Sequence, residues 1–200
     1  MGFNYFIGWC AARCVIGTLF RMRITGQENI PVSGGFILAA NHISYYDPPL
    51  LGCTIRRPIY FLAKDNLFRK PLFGKILTSV NALPIKRGVF DRRAVQLCMD
   101  TIGRGNGLLV FPEGTRSKTG ELMAPKAGIG MIARQAGCPV VPAHIRGSNH
   151  MGRCFWGRDK LRVTIGKPIT AEWIAAQTAD RDGYLTIVQK VMGRIGSLKG

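Results

Sequence analysis

The chain has 200 residues, 46% of them hydrophobic, enough for one domain with a sizeable core. Lys and Arg number 28 against 11 Asp and Glu, a net charge of +17; such a surface suits nucleic acid, an anionic membrane face, or acidic substrates and protein partners. The six cysteines form no C-x-x-C pair and no zinc-finger spacing with histidine, which excludes a zinc finger and reads as a reduced, intracellular chain.

Residues 1–20, "MGFNYFIGWCAARCVIGTLF", are the most apolar segment. They lack the basic opening of a signal peptide, since the only early charge is Arg13 in the middle. Phe6 stands where myristoylation of Gly2 needs Ser or Thr. Asn4 and Arg13 lie on opposite sides of a helix, so no clean amphipathic face forms. The segment is short for a span, and a central arginine costs about 3 kcal/mol on insertion scales. It reads as a membrane-immersed or monotopic anchor, with Arg13, Arg21 and Arg23 towards lipid phosphates. A core helix and a true span are the alternatives.

Residues 21–26 alternate and predict an edge strand. The run "GGFILAA" (34–40) suits a buried strand. "DPPLLGCTI" opens on an N-cap residue and two prolines, a helix start. A strand over 58–64, a short helix over 70–80 and a short strand over 81–85 follow. Asp91 caps a helix over 91–102. "NGLLVFPEG" (106–114) is a glycine-led buried strand running into a turn. A helix over 125–137 closes on Gly137, strands cover 138–145 and 160–166, and two helices end the chain. In the last, Ile187, Val191, Ile195 and Leu198 share a face. This alternation predicts an α/β fold with a mixed, largely parallel central sheet covered by helices. In such sheets ligands bind beyond the carboxyl ends of strands. Three unusual stretches fall there: 41–47, 85–88 and 111–117.

In the first, "NHISYYD", His42 precedes Asp47 by five residues. Histidine serves as a general base near neutral pH, best when a carboxylate holds its other ring nitrogen. Asp47 can be that partner if the chain turns back, or an N-cap before Pro48 and Pro49, or both. In the second, "PIKRG", Lys86 and Arg87 precede a helix whose first turn carries Arg92 and Arg93. Cations there oppose the helix dipole, an arrangement that suits a visiting phosphate; a solvated basic face is the alternative. In the third, "FPEGTRS", Pro112 and Gly114 make a turn that delivers Glu113 to the sheet end. Glu113 can accept hydrogen bonds from a polyol or neutralise Arg87 or Arg116. Thr115, Arg116 and Ser117 offer further donors.

N-H-x4-D, the arginine of "PIKRG", F-P-E-G-T-R-S and a later "VVPAHI" stand in this order across residues 22–168. Together they resemble the glycerolipid acyltransferase family, in particular 1-acylglycerol-3-phosphate O-acyltransferases. The resemblance implies an acyltransferase domain over 21–200 behind the membrane-associating segment 1–20, on the cytoplasmic face of the inner membrane. It implies catalysis by His42 and Asp47, and acceptor binding by Lys86, Arg87, Glu113, Gly114, Thr115 and Arg116, without cofactor or metal. The reaction is transfer of a fatty acyl group from acyl-CoA or acyl-carrier protein to the sn-2 hydroxyl of lysophosphatidate, giving phosphatidic acid. Backbone N–H groups near Gly88 or Gly114 are candidate oxyanion donors. His144 is expected to be a core or rim histidine. Anionic donor, acceptor and membrane surface together account for the charge. The alternatives are another acceptor (glycerol-3-phosphate, a lysophospholipid or a lyso-aminolipid) and a non-catalytic module binding anionic lipid or nucleic acid. RNP, KH and zinc-finger patterns are absent, so nucleic acid is not expected as a partner.

Overall fold

The apolar runs become strands and meet in one sheet. The computed structural model describes residues 16–86 and 91–199, together with Trp9, Arg13 and Cys14. Among them seven strands are ordered β1-β7-β6-β2-β5-β3-β4. They are β1 (Arg23–Thr25), β2 (Phe36–Ala40), β3 (Ile59–Lys64), β4 (Ala82–Ile85), β5 (Gly107–Val110), β6 (Val140–Arg146) and β7 (Arg162–Ile165). The block β6-β2-β5-β3-β4 is parallel throughout. Strand β7 runs antiparallel to β6, and β1 pairs with β7 at the edge. The fold is the expected mixed, mostly parallel sheet.

Every residue of β2 and of β5 is buried, because helices cover both faces and neither strand can alternate with water. On one face Ile37, Ala39, Leu108 and Val110 pack under α3 (Arg92–Gly103), α4 (Gly128–Ala136) and α7 (Arg181–Ser197). On the other, Phe36, Leu38 and Leu109 pack under α1 (Asp47–Thr54) and α5 (Met151–Phe155). Helix α2 (Pro71–Ser79) rests on β3 and β4, and α6 (Ala171–Ala175) precedes α7. A Cβ on Gly130 would lie 2.1 Å from the Tyr184 carbonyl oxygen, so α4 and α7 approach backbone to backbone.

Helix α3 begins at the expected cap, Asp91, whose carboxylate accepts the Ala94 N–H. Helix α4 starts three residues later than the sequence predicts, because the Lys126 N–H is drawn to the Pro112 carbonyl. It ends, as expected, on Gly137 in the left-handed region. Helix α5 lies in a stretch, 146–159, to which the pattern assigns no element.

Much of segment 1–20 lies outside the described residues, but residues 9, 13, 14 and 16–19 are helical. The Trp9 indole N–H donates to the Ile55 carbonyl at 2.9 Å and the Arg13 guanidinium to the Cys53 carbonyl at 2.9 Å. Both therefore satisfy orphan carbonyls at the C-terminus of α1, where a cation also complements the dipole. Arg13, expected to face lipid phosphate, is thus held to the protein through one of its nitrogens. Among the described residues no helix is long and apolar enough to cross a membrane.

Candidate active site

Because β2, β4 and β5 are parallel, the loops that follow them emerge at one edge of the sheet. There "NHISYYD" and "FPEGTRS" are laced together. Strand β2 ends at Ala40, yet its pairing continues through a side chain. Asn41 donates through Nδ2 to the Ile145 carbonyl at 2.9 Å, and its Oδ1 accepts the Ile145 N–H at 2.8 Å. The amide thus stands in for one more strand residue and fixes where His42 begins.

His42 is held at both backbone groups. Its N–H donates to Glu113 Oε1 at 3.0 Å, and its carbonyl accepts the Ser117 N–H at 2.8 Å. Its ring stacks on Phe111, with centroids 4.0 Å apart and planes inclined by 17°. Nδ1 lies 2.8 Å from Asp47 Oδ2. That oxygen also accepts the N–H groups of Ile43 and Ser44, each at 2.7 Å. An acceptor so placed fixes the tautomer, with the proton on Nδ1 and a free lone pair on Nε2.

Asp47 does not cap the helix. Tyr46 holds the cap position and Asp47 is the first helical residue, fully buried. The following prolines explain this. A cap at 47 would seek the N–H of residue 49 or 50, but Pro49 has none and the Leu50 N–H already donates to the Tyr46 carbonyl. The carboxylate turns back to the two N–H groups before the helix, and that brings it to His42.

Glu113 is also turned inward. It is 2% exposed, and its second oxygen accepts the Met123 N–H at 3.1 Å. Burial pushes its carboxyl above the ordinary glutamate range, against the two backbone N–H donors and His42. Gly114 follows at φ 68°, a conformation that favours glycine. Its N–H donates to the Phe111 carbonyl at 3.0 Å and closes the turn, so this N–H is spent and does not serve an oxyanion. Thr115 is exposed. The Arg116 guanidinium lies over the Tyr45 ring, 3.4 Å from its centroid.

After β4, the Lys86 N–H donates to Asp91 Oδ2 at 2.9 Å, so the capping carboxylate also ties down the start of the cationic loop. These two backbone bonds hold the Asp91 carboxyl below its ordinary range. Arg87 and Gly88 lie outside the described residues. His42, Lys86, Asp91, Gly114 and Lys126 border a cavity of about 450 Å³ that runs between the sheet and helices α3 and α4. Much of its lining is apolar, formed by residues such as Leu62, Val95, Ile129 and Ile132. His144 lies apart on β6, opposite Thr164, and is 8% exposed. Burial first, then Lys199 and Arg146, lowers its ring from the ordinary histidine value.

The chain resembles proteins of related chemistry. It is 31% identical to the chloroplastic 1-acyl-sn-glycerol-3-phosphate acyltransferase BAT2 of Brassica napus, over 84% of this chain and 50% of that protein. It is 30% identical to the lyso-ornithine lipid O-acyltransferase of Pseudomonas aeruginosa, over 82% of this chain and 69% of that one. The crystal structure of PlsC, the 1-acyl-sn-glycerophosphate (LPA) acyltransferase of Thermotoga maritima, superposes with a TM-score of 0.77 at 28% identity. That match covers 98% of this chain and 80% of PlsC. The chain spans about half the length of the chloroplastic relatives it matches. The family model described as Acyltransferase matches residues 21–146, a span that takes in both laced loops and the Lys86 loop, and the chain belongs to the acyltransferase family.

Proposed function

We propose that the protein transfers a fatty acyl group from a thioester, acyl-CoA or acyl-carrier protein, to the sn-2 hydroxyl of 1-acylglycerol-3-phosphate, forming phosphatidic acid. The observation that carries this reading is the buried His42–Asp47 pair, 2.8 Å apart, with His42 lining a largely apolar cavity that Lys86 and Lys126 also border. The relatives' names support the acceptor class.

His42 Nε2 removes the proton from the acceptor hydroxyl. The oxygen attacks the thioester carbon, and a tetrahedral oxyanion forms. Its collapse expels the thiolate, which takes the proton back from Nε2. Asp47 holds the ring and stabilises the imidazolium between the two transfers. Lys86 and Arg87 bind the acceptor phosphate, and Arg116 and Thr115 shape the approach from the other loop. Glu113 and Gly114 act on the acceptor site through the turn they build. The apolar cavity takes an acyl chain. Residues 1–20 associate with the membrane and 21–200 form the catalytic domain, at the cytoplasmic face of the inner membrane.

The lyso-ornithine relative supports a second acceptor class, a lyso-aminolipid. Thiol release by the purified protein in detergent separates the two. Lysophosphatidate is compared with glycerol-3-phosphate, lysophosphatidylcholine and a lyso-ornithine lipid, using acyl-CoA or acyl-carrier protein as donor. His42→Ala abolishes release in either case. Arg87→Ala weakens phosphate-bearing acceptors selectively; equal loss on a phosphate-free acceptor sinks the phosphate role.

A further inference from the structure

Helix α2 is amphipathic the wrong way round. It holds to the domain through Gly74 and Leu77, which are buried. Leu72, Phe73 and Ile76 face solvent, at 76%, 44% and 49% exposure, with Val80 just beyond the helix. Residues 72, 73 and 76 follow helical spacing, so the outward side chains form an apolar stripe along the helix. The turn before the helix, Asp65–Arg69, adds exposed Leu67. A Cβ on Gly74 would lie 2.6 Å from the Phe68 carbonyl oxygen, so turn and helix are pressed together as one plate.

The plate is cationic as well as apolar. Lys64, Arg69, Lys70 and Lys75 are all exposed, and the one carboxylate between residues 64 and 80 is Asp65; four positive charges less one negative leave three. A water-facing helix has no use for this pattern, and a helix facing a protein core would not set lysines beside its apolar stripe. Hydrocarbon under an anionic headgroup layer accepts both: the aliphatic and aromatic tips enter, while long basic side chains reach back to phosphate. The turn follows the carboxyl end of β3, the edge of the sheet that carries His42.

We propose that residues 64–80 dock flat on an anionic lipid bilayer, as a membrane contact separate from residues 1–20. The proposal rests on the acyltransferase reading only for its purpose, which is to bring the site to a lipid acceptor. The docking itself is measured without turnover.

The full chain is mixed with vesicles of phosphatidylcholine and phosphatidylglycerol containing a phospholipid with a diazirine in its acyl chain. Photolysis and peptide mass spectrometry read the contact sites, and co-sedimentation reads the affinity. Cross-links are expected within 67–80. The triple variant Leu72→Ser, Phe73→Ser, Ile76→Ser is expected to lose them and to bind at least about tenfold more weakly. Lys70→Glu with Lys75→Glu weakens binding at low salt and not at high salt, and it keeps the test open if the triple variant does not fold. Neither variant alters acyl transfer to a water-soluble short-chain acceptor. Cross-links confined to residues 1–20, or unchanged affinity of both folded variants, overturn the proposal. Cross-links on 67–80 in a protein that transfers no acyl group leave the docking standing and refute the catalytic reading.

Discussion

Asp47→Asn separates the electrostatic part of the His42–Asp47 pair from its scaffolding part. Oδ2 of Asp47 accepts three hydrogen bonds, from His42 Nδ1 and from the N–H groups of Ile43 and Ser44. An asparagine oxygen can accept all three, so the loop keeps its shape. What disappears is a full negative charge beside the imidazolium that the proposed mechanism forms when His42 takes the acceptor's proton. With charge centres about 4 Å apart and an effective dielectric near 20, that attraction is about 4 kcal/mol, or roughly a thousandfold in kcat. Asp47→Ala removes the acceptor as well and leaves buried N–H groups unpaired, at about 1–3 kcal/mol each, so it loses a further several kcal/mol of folding stability. Thiol release measures the first effect and urea unfolding the second. Asparagine should be stable and slow, alanine unstable and slow. A folded Asp47→Asn variant with turnover within a few-fold of the parent would refute the argument that the carboxylate acts through its charge.

Asn41→Leu removes both bonds to Ile145 and strands a buried N–H and carbonyl, so unfolding free energy should fall by about 2–4 kcal/mol in a urea titration. Gly130→Ala places a methyl against the Tyr184 carbonyl and should lower stability by about 1–3 kcal/mol as α4 and α7 part. The His144 ring titrates below its ordinary value when folded, so between the two values the unfolded chain binds the extra proton. Stability therefore rises with pH through that window and is lost as pH falls below the ordinary histidine range of about 6.5. Melting temperatures against pH should show this slope, and His144→Gln should flatten it.

The features readable from the sequence are those whose cause is local. The continuous runs of β2 and β5 announce burial on both faces, Asp91 announces a cap, and three unusual loops placed after strands announce one edge. Position 47 divides the local signals from the rest. "DPP" has the composition of a capped helix start, but Pro49 offers no N–H, the Leu50 N–H goes to the Tyr46 carbonyl, and the carboxylate turns back to His42. Asn41 carries no local mark of its role, because its partner, Ile145, lies 104 residues away. Arg13 is likewise decided by the carbonyls that end α1. The spacing of α2 announces a helix but not which side faces out, since that depends on how little of it β3 and β4 cover.

The restraints on His42 belong to one argument about catalysis. Its N–H and carbonyl are tied to the Phe111–Ser117 turn, its ring is stacked on Phe111, and Nδ1 is tied to Asp47. A side chain so held loses little freedom when substrate arrives, so binding energy need not be spent on ordering the base. The ring has one edge left, at Nε2, and in the proposed mechanism the acceptor hydroxyl comes to it. On the proposed reading, positioning then falls to groups that act on the substrate, the cations that follow β4 and the proposed lipid contact of residues 64–80. Loosening the turn should therefore lower kcat, and removing a cation should raise KM for phosphate-bearing acceptors. If Arg87→Ala lowered kcat and left KM unchanged, the division of labour between a fixed base and a steered acceptor would be wrong.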